Sequence, residues 1–167
     1  MSDPAASTLA SATAARFRAA VETATTTGDL TGFAPLFRPD VRLYSPVSFK
    51  PFDGEEMVLG LLGVLVRTFE EFRYIGSFTG EAATSRDPEA PASPADVLLF
   101  RATVDGKEIH GMDLLHFDEA GLIKEITVMV RPHSAVQALG QAVLRGLVEA
   151  GLVPEKPEKP EPEKPEK

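Results

Sequence analysis

One carboxylate stands out by the company it keeps. Between Lys107 and Phe117 the alternation of a strand puts Ile109, Gly111, Asp113, Leu115 and Phe117 on one face, and Glu108, His110 and His116 on the other. Asp113 therefore shares a face with side chains that belong in a core. Burial there disfavours the charged form and raises the pKa. The resulting neutral acid can donate a hydrogen bond to a developing oxyanion or exchange a proton with a substrate. The competing reading is structural: Met112 and Leu114 make the other face partly apolar too, and Asp113 then caps a loop or pairs with an arginine.

Other chemistry is thinly represented. His110 and His116 share a strand face but stand six residues apart, roughly 20 Å at strand rise, too far to hold one metal. His133 follows Pro132 at the start of a helix, where capping or exposure is its expected role. Cysteine is absent, which excludes disulfides, thiolate nucleophiles and cysteine-ligated metals. No phosphate-cradling glycine loop, zinc-protease or EF-hand spacing or nucleophile elbow occurs, so neither a metal nor a nucleotide cofactor is expected.

The elements that must position Asp113 follow from periodicity. Ala10, Ala14, Phe17, Val21 and Ala24 mark one helical face, predicting a helix over Thr8 to Thr27 that stops at Gly28. Asp29 suits the N-cap of a short second helix carrying Leu30 and Phe33, ended near Pro35. Val41, Leu43 and Ser45 alternate with Arg42 and Tyr44 as a strand broken by Pro46. Glu55 to Phe69 returns to a helical period, and Phe72, Tyr74 and Phe78 mark another strand. Residues 80–95, with Pro88, Pro91 and Pro94, predict a long loop serving as a lid, an interface element or a mobile insertion. Val97 to Val104 and Lys107 to Phe117 form a hairpin through Asp105-Gly106, and Asp118 to Gly121 turns into a third strand, Leu122 to Arg131. Val136, Leu139, Val143, Leu144 and Leu147 stripe a last helix over Ser134 to Ala150.

A chain of 167 residues, 43% of them hydrophobic, supports one domain with a sizeable core. The net charge of −8 argues against nucleic acid or an anionic membrane as partner. The N-terminus lacks the basic start and apolar stretch of a secretory signal, and a soluble cytoplasmic protein is expected. The segment from Pro154 to Lys167 is a Glu/Lys/Pro repeat with nothing to bury, read as a disordered tail.

This order of helix, short helix, strand, helix, strand, long loop and antiparallel meander resembles the nuclear transport factor 2-like superfamily, in its SnoaL-like and ketosteroid-isomerase-like branches. The resemblance runs from Thr8 to Pro132. It is carried by Gly28-Asp29-Leu30, Phe37-Arg38-Pro39-Asp40-Val41, Leu43-Tyr44-Ser45-Pro46-Val47, Phe52-Asp53-Gly54, Gly111-Met112-Asp113 and the run Phe117 to Ile123. It implies an α+β fold: a cone-shaped curved mixed or antiparallel sheet wrapped by N-terminal helices, the cystatin-like α+β barrel. A C-terminal helix is added, and residues 8–150 form the domain. It also implies a homodimer.

The resemblance also assigns roles. Asp113 matches the acid that donates to the oxyanion in ketosteroid isomerases. Ser45 stands where those enzymes place the general-base aspartate before a Pro-Val pair, and Val21 falls near their oxyanion tyrosine. SnoaL-like cyclases, whose aldol chemistry relies mainly on one aspartate at a similar position, are nearer. Limonene-epoxide hydrolases need two aspartates and an arginine, and Val128 stands where one acid is required. The expected function is an isomerase or cyclase acting on a small hydrophobic oxygenated compound, with Asp113 as general acid/base. Ser45, Tyr44 and Arg101 are expected to orient a carbonyl, while Leu43, Phe100, Leu115, Ile126 and Val128 line the cavity. The alternative is a non-catalytic ligand-binding or dimeric interaction protein of the same fold.

Overall fold

The computed structural model describes residues 4–154. Helix α1 (Pro4–Thr27) is followed by one turn of 3-10 helix (Ala34–Leu36), β1 (Phe37–Tyr44), the short β2 (Phe52–Asp53), α2 (Glu55–Thr68), β3 (Glu70–Ala82), β4 (Ser93–Val104), β5 (Lys107–Phe117), β6 (Ile123–Arg131) and α3 (His133–Glu149). The strands form one curved sheet in the order β2-β1-β6-β5-β4-β3. Only the β1–β6 pairing is parallel; the others are antiparallel. This is the α+β fold with a curved mixed sheet and an added C-terminal helix that the resemblance implies, the sheet remaining unclosed.

The meander falls where its turn residues put it. Asp105 and Gly106 both take positive φ (47° and 72°), as a two-residue hairpin of this twist requires. The resulting register sets Leu98 of β4, Asp113 of β5 and Val128 of β6 side by side on the concave face. Against that face α1 buries Ala10, Ala14, Phe17, Val21 and Ala24, the stripe read from the sequence. Phe17, Phe33 and Phe37 then close the narrow end, with Phe17 edge-on to Phe33 and Phe33 stacked on Phe37.

Three local expectations are corrected. The short second helix does not begin at Asp29: the Asp29 carboxylate accepts the Thr31 N–H in a tight turn, and the 3-10 turn forms later with Pro35 inside it. Strand β1 starts at Phe37 and runs through Pro39. The loop expected over 80–95 shrinks to residues 83–92, because β3 and β4 pair as far as Ala82 and Ser93. The predicted Glu/Lys/Pro tail lies outside the described residues, apart from Pro154.

The remaining loop is held to the outer sheet face by a buried glutamate. Glu125, 3% exposed, accepts the Ser85 N–H at 2.6 Å and the Arg86 N–H at 3.3 Å. The Ser85 hydroxyl meets Thr127 at 2.9 Å. Beside them His116, fully buried, donates from Nε2 to the Ala83 carbonyl. Its burial pulls the imidazole pKa below the usual value, so the ring is neutral at neutral pH. Two backbone N–H groups on one carboxylate make Glu125 the anchor of this loop. Glu125→Ala should speed amide exchange at Ser85 and Arg86 and cost about 1–2 kcal/mol. Unchanged exchange at both amides would show that the loop is held by something else.

Candidate active site

The concave face, α1, α2 and α3 enclose an apolar cavity of about 60 Å³. That is room for a few water molecules at roughly 10–15 Å³ each. The sheet contributes Leu43, Phe100, Ile126 and Val128; α1 contributes Phe17 and Val21; α3 covers the mouth with Leu139 and Val143. The helix covers closely because its glycines admit neighbours: Gly140 meets Val47 and Gly146 meets Val64.

Asp113 lies in the wall of this space. The residue is half-buried, with its carboxyl surrounded by protein. Burial pushes its pKa from 3.8 to about 7, against the opposing effect of one hydrogen bond. That bond comes from Tyr74 of β3, whose hydroxyl donates to Oδ2 at 3.1 Å. Burial, followed by the nearby Asp113 charge, raises the Tyr74 pKa well above that of free tyrosine. Tyr74 is therefore a donor at any physiological pH, and Asp113 exchanges its proton near neutrality.

Tyr74 escapes the sequence reading, which places no tyrosine beside Asp113. Its inward orientation was visible in the alternation of Phe72 and Tyr74. Its neighbour was not, because β3 pairs with β4 through two register shifts, one between Glu70 and Arg73 and one between Tyr74 and Gly76. The same strand completes an aromatic wall. Phe72 stacks on Phe100 at 5.0 Å and meets the Tyr74 ring edge-on at 5.0 Å, and Phe69 lies 5.9 Å from Phe100. Gly111 makes room for the Phe100 ring.

Of the residues expected around a substrate, Asp113, Leu43, Ser45, Phe100, Ile126 and Val128 line the cavity. Ser45 accepts the Ser48 N–H at 3.1 Å in a tight turn, which leaves its own O–H free to donate. Tyr44, Arg101 and Leu115 do not line it. Tyr44 pairs in register with Thr127, and Arg101 with His110, both on the outer face, so strand alternation turns them away. Leu115 is on the inner face but fully buried in the core beyond the cavity. His110 accepts a hydrogen bond from Arg131 at 3.0 Å on the outer face, and His133 is exposed. Among the described residues no three His, Asp or Glu side chains are grouped to share a metal ion. No helix there is long and apolar enough to cross a membrane.

Comparison with solved structures bears on this geometry. A steroid delta-isomerase from Pseudomonas aeruginosa is 32% identical, with a TM-score of 0.69; the match covers 87% of this chain and 96% of that one. The chain belongs to the nuclear transport factor 2-like superfamily. An uncharacterized protein with a cystatin-like fold from Silicibacter pomeroyi is 27% identical over 84% of this chain and 88% of its own, also with a TM-score of 0.69. Bal32a, from a soil-derived mobile gene cassette, is similar in fold alone: 15% identity, 80% and 97% coverage, TM-score 0.54. No family model and no curated protein matches the chain.

Proposed function

We propose that the protein is a cofactor-independent isomerase or cyclase of small apolar carbonyl compounds, with Asp113 as its general acid/base. The observation that carries this reading is the Asp113–Tyr74 pair: a carboxyl poised near pH 7 in an otherwise apolar cavity. Similarity to a steroid delta-isomerase supports the reaction class. The size of the cavity argues for a substrate much smaller than a steroid, since sites for drug-sized ligands span about 300–1,000 Å³.

The chemistry balances with one residue. The ionised Asp113 carboxylate takes a proton from the carbon next to the substrate carbonyl, leaving an enolate and a neutral acid. The acid then returns the proton to a different carbon, which is isomerisation. Alternatively the enolate carbon attacks a second carbonyl and the proton goes to the new alkoxide, which is cyclisation. Tyr74 steadies the carboxylate form, and the Ser45 O–H is available to the carbonyl oxygen. The aromatic wall excludes water, which strengthens these polar contacts.

Hydrogen–deuterium exchange at the carbon beside the carbonyl, followed by NMR in D2O, tests this without knowing the product. One-ring ketones, polyketide fragments and terpenoids that raise the melting temperature are the compounds to use. Exchange should rise with pH to a midpoint near 7, since the ionised carboxylate is the base. It should fall at least ~100-fold in Asp113→Asn. In Tyr74→Phe the midpoint should move upward, because the bond that lowers the Asp113 pKa is gone. Exchange at the native rate in Asp113→Asn would remove Asp113 from the chemistry. Tight binders with no exchange would instead establish the non-catalytic ligand-binding reading.

A further inference from the structure

Tyr74 is held at two points. Its hydroxyl donates to Asp113 at 3.1 Å, and the guanidinium of Arg18 lies over its ring, 5.5 Å from the centroid. The two partners belong to different spaces: Asp113 lines the apolar cavity, whereas Arg18 lines an open groove between α1 and strands β3 and β4. Glu22, one turn further along α1, and Asp96 of β4 line the same groove. Neither lies within ion-pair distance of Arg18, and among the described residues no other carboxylate does. Arg18 is thus a half-buried cation seated on an aromatic face instead of on an acid.

That seat has a chemical consequence at the other end of the ring. A cation over a phenol draws electron density away from the oxygen, which makes the O–H a stronger donor. A stronger donor favours the carboxylate form of the acid that accepts from it. The charges around Tyr74 agree: burial and then Asp113 raise its pKa, Arg18 opposes them and Glu22 adds to them. Asp113 itself is shifted by burial and, in the opposite sense, by the Tyr74 bond, with no direct share from Arg18. The cavity surfaces of β1, β6, α2 and α3 carry no ionisable side chain, so no other charge faces the pair from them.

We infer that Arg18 is a positioning residue for the proton transfer proposed above: seated on the Tyr74 ring, it strengthens the hydrogen bond from Tyr74 to Asp113 and so sets how firmly that carboxyl holds its proton. Arg18 does not line the cavity and acts only through the ring. Its importance for catalysis rests on the role given to Asp113, but the coupling is a property of the resting protein.

Carbon-detected NMR of the Asp113 carboxyl in the full chain, titrated from about pH 4 to pH 9, reads the coupling without a substrate. In Arg18→Met, which keeps an unbranched stem and loses the charge, the midpoint should rise by about 0.5 pH unit, the size of a weakly buried cation–π contact. Arg18→Lys keeps a cation over the ring and should hold the native midpoint to within about 0.2. In Tyr74→Phe the hydroxyl is gone, so adding Arg18→Met should move the midpoint no further. The inference is overturned if Arg18→Met leaves the midpoint in place, or if Arg18→Lys shifts it as far as Arg18→Met does. It is equally overturned if Arg18→Met raises the midpoint again in the Tyr74→Phe background. Absence of carbon–hydrogen exchange would count against the proposed reaction and leave this coupling standing.

Discussion

Asp113→Asn is expected to make the protein more stable at pH 8 and to leave its stability at pH 4 nearly unchanged. In the unfolded chain the Asp113 carboxyl has its ordinary pKa of 3.8; in the folded protein burial raises it to about 7. Between those values the folded state holds a proton that the unfolded state has released. The native contribution is therefore fully present below pH 3.8 and is lost as the pH rises through about 7. A gap of this size corresponds to a loss on the order of 2–4 kcal/mol, the lower part allowing for the side chain's residual exposure. Asparagine nearly matches the neutral acid in shape, can accept the Tyr74 hydroxyl and never ionises, so it escapes the loss. Urea unfolding of both proteins from pH 4 to pH 9 reads the effect as a widening difference, with the variant melting roughly 5–10 °C higher at pH 8. Parallel stability curves would mean that Asp113 titrates like a surface carboxylate.

The second large effect is expected from the smallest substitution. Gly111 lies on the inner face of β5, directly opposite Phe100 of β4, and a methyl group added there would overlap the Phe100 ring. An exposed ring would swing aside. This one is 2% exposed, stacked on Phe72 and in contact with Phe69, so it moves only by pushing the whole wall into the cavity. Gly111→Ala should therefore cost about 2–3 kcal/mol, as overpacked cores do, despite alanine's lower backbone entropy cost. Adding Phe100→Leu should recover part of that loss. A double-mutant cycle with positive coupling between the two positions would locate the strain in this contact. If Gly111→Ala unfolds at the native denaturant concentration, the wall is looser than its packing implies.

Much of the fold was legible because it is local. The Asp105-Gly106 turn fixed one hairpin, the turn after Asp118 the next, and the alternation between them placed Asp113 inward. The stripe of α1 was read from a single helical face. That of α3 was read correctly at Leu139, Val143 and Leu147 but not at Leu144, which is 51% exposed, while Ala135 is buried in its stead. The partner of Asp113 was not legible, because Tyr74 reaches it across strands joined by a ten-residue loop and displaced by two register shifts. Glu125 was hidden for a related reason: its partners are backbone groups about 40 residues away in sequence. Tyr44 and Arg101 are a different kind of error. Alternation with Leu43, Ser45 and Phe100 already pointed them outward, and their chemical suitability for a carbonyl was allowed to outweigh it.

The cover of the cavity has an implication for how this architecture can change. The strands that set the electrostatic environment of Asp113 all precede Pro132, while α3, which limits the space in front of it, follows as one appended segment touching the mouth through Leu139 and Val143. The Asp113–Tyr74 pair and the cover of the cavity are thus written in separate stretches of the chain. Selection or engineering could retune the volume of the cavity by editing α3 alone, leaving the Asp113–Tyr74 hydrogen bond in place.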